Sequence, residues 1–225
     1  MRRYLCAAAA AAVAALFTAV PAFASSNAVL SDSAANPNGT NTAVNAVLTA
    51  NLKSGTHATF YTTTTGTTGI SCSSSNLSAT VLTNPTAPGT ATASLTALNF
   101  PNTSTNCTVN GGGRTVNSIT VDHLSYNASV SSDGSVSITA GSNGAIHTTA
   151  VITTIFFQQI TCGYTSHNSN VSGSASNTDN SLTFTNQQFD GDSTNNFQCP
   201  TTSYFTAKYA PVVDSNNGNA SVFTN

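Results

Sequence analysis

Leu124-Ser125-Tyr126-Asn127-Ala128-Ser129-Val130-Ser131-Ser132-Asp133-Gly134-Ser135-Val136-Ser137-Ile138-Thr139-Ala140 reads as two runs of alternating polarity around a turn. Leu124, Tyr126, Ala128 and Val130 take every second place in the first run, and Val136, Ile138 and Ala140 do so in the second. A strand directs successive side chains to opposite faces, so each run lines one buried face. Asp133-Gly134 between two such runs is a strong hairpin signal. The same period recurs outward in both directions, in Val44, Ala46, Leu48, Ala50, Leu52 and in Phe205, Ala207, Tyr209. Threonine is the common intervening residue, and its branched Cβ suits a pleated surface. Turn residues separate the runs at Ser54-Gly55, Asn84-Pro85 through Pro88-Gly89, Gly111-Gly112-Gly113 and Asn143-Gly144. Ile155-Phe156-Phe157, just after Ala150-Val151-Ile152, reads as a central strand buried on both faces. No stretch after residue 24 carries a helical stripe, so the expected class is all-β.

The first 24 residues read as a secretory signal peptide. Arg2 and Arg3 form a positive start, Leu5 to Val20 is apolar, and Ala22-Phe23-Ala24 offers small residues for cleavage between Ala24 and Ser25. A membrane anchor is the competing reading, but the run is short and polar Ser25-Ser26-Asn27 follows it. The paired arginines leave the Sec and twin-arginine routes both open. Residues 25–41, rich in Ala, Asn, Ser and Pro, read as a flexible leader before a domain over 42–225.

Beyond residue 24 the cations are Lys53, Arg114 and Lys208, against seven aspartates and no glutamate, a formal charge of −4. Three cations cannot form a basic patch, which excludes nucleic acid and, once the signal is gone, a membrane as partners. Charged residues make up 5% of the chain, yet the 39% apolar content argues against disorder.

Cys6 leaves with the signal, and Cys72, Cys107, Cys162 and Cys199 remain, an even number that reads as two disulfides in an exported chain. Zinc competes, but no pair has metal-site spacing. A shift of 90 residues carries His57 onto His147, Ile70 onto Ile160 and Cys72 onto Cys162. Ser94-Leu95-Thr96 then answers Ser181-Leu182-Thr183. This points to an internal duplication, about 42–140 and 141–225. Four cysteines allow three pairings. Equivalent halves favour Cys72–Cys107 and Cys162–Cys199. Since one half has too few large apolar residues to cover its own sheet, the expected fold is an antiparallel β-sandwich with two related halves. Two small tandem β-domains are the alternative.

Cys72, Asn84-Pro85, Pro88-Gly89, Cys107, Cys162-Gly163-Tyr164, Cys199, Lys208-Tyr209-Ala210-Pro211 and the final Ala220-Ser221-Val222-Phe223-Thr224-Asn225 together resemble a group of actinobacterial, Streptomyces-like proteins described as hypothetical secreted proteins with four cysteines. The resemblance covers most of the chain after the signal, through short motifs. It implies export from a high-GC Gram-positive bacterium and implies no activity or cofactor.

No catalytic residue is expected. Gly-x-Ser-x-Gly is absent as a strand-to-helix elbow. Adjacent Asp122 and His123 should face opposite ways on a strand, and His57 and His147 read as repeated structural positions. Asp190, Asp192 and Asn195 have the alternating oxygens of a calcium loop but lack its closing glutamate, so a polar turn is the first reading. Tyr61, Tyr126, Tyr164, Tyr204 and Tyr209 are available as glycan platforms, although most fall on core-like faces. The preferred expectation is a secreted structural or surface-associated protein acting by self-association or protein contact. The alternatives are a carbohydrate- or cell-wall-binding module and, last, a secreted hydrolase.

Overall fold

The computed structural model describes residues 27–111 and 114–225. The expected signal peptide and its Ala24–Ser25 cleavage point lie outside them. The chain forms β1 (Leu30–Asp32), β2 (Thr40–Asn41), β3 (Val47–Asn51), β4 (Ala58–Tyr61), β5 (Gly69–Cys72), β6 (Asn76–Thr83) and β7 (Thr90–Asn99). A single helical turn, α1 (Thr103–Asn106), precedes β8 (Cys107–Asn110), β9 (Thr115–Asp122), β10 (Tyr126–Ser131), β11 (Ser135–Thr139) and β12 (His147–Thr153). Then come β13 (Gln159–Ser166), β14 (Asn170–Ser176), β15 (Ser181–Gly191), β16 (Thr202–Tyr209), β17 (Val213–Asp214) and β18 (Ala220–Thr224).

All the ladders are antiparallel and belong to one sheet. Their registers resolve into eight long strands, most bent once: β3–β4, β5–β6, β7–β8, β9–β10, β11–β12, β13–β14, β15 and β16–β17. Each pairs with its neighbours in sequence order. The eighth returns to the first, through Thr206 opposite Thr59, Tyr209 opposite Leu52 and Val213 opposite Thr49. The Lys53 amide donates to Lys208, and the Ala210 amide donates to Asn51. The result is an up-and-down barrel. The two packed layers expected from the sequence are therefore opposite walls of a single sheet joined at its edges.

The alternation read from sequence sets the interior. Ala79, Leu95, Tyr126, Ala128, Ile138, Val171, Gly173, Phe184, Ala207 and Tyr209 lie side by side across successive ladders and fill the barrel at this level. The outward partners are Ser, Thr and Asn, as in Asn127, Ser129, Ser137 and Thr139. This polarity is the inverse of a membrane-spanning barrel, whose exterior is apolar. Asp133-Gly134 forms the expected hairpin. The Gly134 amide donates to Ser131, and its φ of 82° meets the left-handed requirement of a three-residue loop.

Three expectations change. The leader over 25–41 is structured from residue 28. Val29 is 0% exposed, β1 pairs with both β18 and β2, and Leu30, Val212 and Val222 plug the barrel end beside Leu48 and Leu182. Asn84 secures this plug, accepting from the Leu30 amide and donating to the Leu30 and Thr42 carbonyls. Val44 lies outside β3 and is exposed. Ile155-Phe156-Phe157 is no buried strand. It tips the β12–β13 hairpin, with Phe156 71% and Phe157 91% exposed, because Thr154 and Gln158 close a turn across it.

Both expected disulfides are present, Cys72–Cys107 between β5 and β8 and Cys162–Cys199 between β13 and the β15–β16 loop. Cys72 lies on the second of the first four long strands and Cys162 on the second of the last four, although β11 (Ser135–Thr139) falls before the expected boundary near residue 140. Both bridges brace the same end of the barrel.

Candidate functional site

The loops 62–68, 154–158 and 192–201, with Gly111 and Arg114, gather at the end opposite the plug, forming a mouth. Inside it is a cavity of about 300 Å³. Its origin is local. Deeper in, the barrel is filled by Phe60, Phe100, Phe184, Phe205 and Tyr209, whose rings pack with centroids 5.0–6.5 Å apart. Nearer the mouth the inward places are taken by Thr148, Ala150 and Ser203, too small to meet across the lumen. Ile70, Val109, Ile119 and Ile152 complete an apolar wall. Consecutive β8 and β9 form no ladder among the described residues, so the wall has a seam there.

Thr62, Thr68 and Asn110 bring polar groups to this space, as do Thr148, Tyr164, Ser203 and Arg114. The Thr148 hydroxyl donates to the Thr120 carbonyl at 3.0 Å. Tyr164 and Ser203 are 8% and 6% exposed and line the cavity, yet their hydroxyls have no hydrogen-bond partner among the described residues. Burial, aided by the Asp192 carboxylate, pushes the Tyr164 phenol up to about 12, so it stays a donor at neutral pH. Arg114 stands at the rim. On the hairpins that rise from the lining strands, Ile155, Phe156, Phe157 and Phe197 are exposed.

A polar ladder crosses the outer surface behind the cavity. Asp122, His147, Thr165 and Asp190 are direct neighbours on β9, β12, β13 and β15. With both ring nitrogens protonated, His147 donates from Nδ1 to Asp122 at 2.7 Å and from Nε2 to Asp192 at 2.9 Å. Gly163 leaves room for this bridge, since a Cβ there would stand 2.2 Å from the Asp192 carboxylate. The Cys162-Gly163-Tyr164 motif thus has three separate duties: a disulfide, clearance outside and a lumen ring.

Burial opposes charge on His147, but the hydrogen bonds to Asp192 and Asp122 outweigh it and raise its pKa above 6.5. A raised histidine contributes stability that is whole below the unfolded-state value and lost as pH climbs through the folded-state value. Wild type is therefore expected to lose urea resistance on going from pH 6 to pH 8.5, and His147→Gln to flatten that slope. Parallel slopes in the two proteins would refute the assignment.

The other sequence candidates scatter. Asp190 and Asp192 do not face a common ion. Asp190 accepts from His167 at 2.6 Å, while Asp192 serves His147. Asn195 clamps Gly163 through its amide, with two bonds of 2.8 Å. No group of three metal-ligating side chains occurs among the described residues. His57 is exposed beside β4, unlike His147. Asp122 and His123 do not face apart. A φ of 60° at His123 ends the strand and brings its ring 5.6 Å from that of His147. Tyr126, Tyr164 and Tyr209 are buried, and only Tyr61 and Tyr204, neighbours across β4 and β16, keep an outward position. Both His147 nitrogens are held by carboxylates, leaving neither to activate a hydroxyl. The sequence reading missed the cavity and Arg114. The signal for Arg114 was its rarity, as one of three cations after residue 24. No family model matches the chain, and neither a curated protein nor a solved structure matches it.

Proposed function

We propose that the chain is an exported binding protein that holds one small, largely apolar molecule in the mouth of its barrel. The observation that carries this is a hollow, apolar-lined mouth on a barrel otherwise filled by side chains. An eight-stranded barrel is just wide enough either to be filled or to accommodate one small ligand, and cavities of about 300 Å³ stand at the lower end of small-molecule sites. Two disulfides suit an oxidising, extracellular setting. Surface association, expected from composition, would use the exposed Phe156, Phe157 and Phe197 tips around the same opening.

Fluorescence titration with 1-naphthol, a neutral probe of suitable size, tests this reading. The wild type should bind it saturably at one site. Ala150→Phe, which places a ring in the cavity, should weaken binding at least tenfold while the protein remains folded by circular dichroism. Failure of the wild type to saturate, or equal binding by both proteins, would sink the proposal.

A further inference from the structure

The placement of positive charge narrows the ligand class. Of the three cations after residue 24, Lys53 and Lys208 are both satisfied by Asp179, at 2.5 and 2.7 Å. Arg114 is the exception. It is half-buried at the cavity rim and has neither ion pair nor hydrogen bond among the described residues. A guanidinium keeps its charge at any physiological pH and presents five donors in a planar fork that matches a carboxylate. Leaving it partly desolvated beside an apolar wall without an acceptor is unfavourable.

The opposite wall repeats the deficit. The Tyr164 and Ser203 hydroxyls, each on a side chain more than nine-tenths buried, also lack protein acceptors. Arg114, just before β9, and the Tyr164 and Ser203 hydroxyls on β13 and β16 therefore border one space, shared with Thr62, Thr68 and Asn110, and hydrogen-bond to no described residue. These hydroxyl oxygens are not sealed off but open onto the cavity, so their partners come from whatever enters it, water or a ligand.

We propose that the mouth binds a monocarboxylate with an aliphatic or aromatic body, its carboxylate against Arg114 and its body against Ile70, Val109, Ile119 and Ile152. The cavity's volume corresponds to about ten waters at ~30 Å³ each, so the ligand has on the order of ten non-hydrogen atoms. This inference rests on the mouth being a ligand site. It adds that the site selects charge.

Calorimetric titration of the disulfide-intact protein with octanoate and 1-naphthoate, each against its neutral amide, tests it. The carboxylates should bind about ten- to a hundredfold more tightly than octanamide and 1-naphthamide. Arg114→Gln should bring the acids down to the level of the amides and leave the amides unchanged. Ala150→Phe should weaken all four. If acids and amides bind equally and Arg114→Gln alters neither, the cavity stands and the charge selection is overturned. If none of the four binds, the cavity reading itself falls. Preference for octanoate over 1-naphthoate, or the reverse, assigns the body as aliphatic or aromatic.

Discussion

Phe184→Ala is expected to lower the unfolding free energy by about 3–5 kcal/mol, a large share of the ~5–15 kcal/mol that holds a typical domain together. Phe184 sits on β15, which serves both ends of the barrel, pairing with β14 over its first half and with β13 over its last residues. Its ring is 6.4 Å from Phe205 and 6.5 Å from Tyr209. The residue opposite on β14 is Gly173, where an added Cβ would stand 2.7 Å from the Phe184 ring. The ring therefore occupies the space that a side chain at 173 would take. Removing it leaves a hole whose nearest neighbour has nothing to fill it, the circumstance in which truncation costs most. Urea unfolding followed by circular dichroism reads the loss. A change below about 1 kcal/mol would show that the ring is not packed as described.

Removing either disulfide as a pair of alanines should cost about 3–4 kcal/mol in the chain-entropy account, for sequence separations of 35 and 37. The two variants should differ in kind. Among the described residues β8 has a ladder with β5 and none with β9. Cys72→Ala with Cys107→Ala should therefore expose β8 to protease as well as lower the melting temperature. Cys162→Ala with Cys199→Ala loosens the 192–201 loop at the mouth and should leave β8 protected. Limited proteolysis with mass mapping separates them. Equal protection of β8 in both would contradict the seam.

The sequence discloses the walls of this barrel better than its ends. Period-two alternation marks the β10–β11 hairpin and the Phe205–Tyr209 strand because one face is buried, and burial leaves its trace in every second letter. The 90-residue shift carries the disulfide pairing because cysteines are few enough for coincidence to be informative. Ile155-Phe156-Phe157 misleads because an apolar run has the same appearance in a core or on a hairpin tip. The sign that it is a tip lies to either side. Thr148, Ala150 and Ile152 mirror Ile160, Cys162 and Tyr164 across it, as the arms of a hairpin must. The plug was hidden because Val29 and Leu30 are short apolar notes in a polar stretch, and their partners lie at the other end of the chain. The cavity is legible nowhere along the chain. It is made by alanine, threonine and serine on different strands, each unremarkable alone.

The plug also has a history in time. Leu30 pairs with Thr224 and Asp32 with Val222, so β1 waits for β18, which is synthesised long after it. Neither the closing contact of β3 with β17 nor the plug can exist until the final strands have been synthesised. Contacts of such long range make for slow folding, and until they form the apolar side chains of β1 and β3 remain uncovered. A chain built in this way gains from a holding partner until β18 is made, and removal of β18 should be felt first at β1.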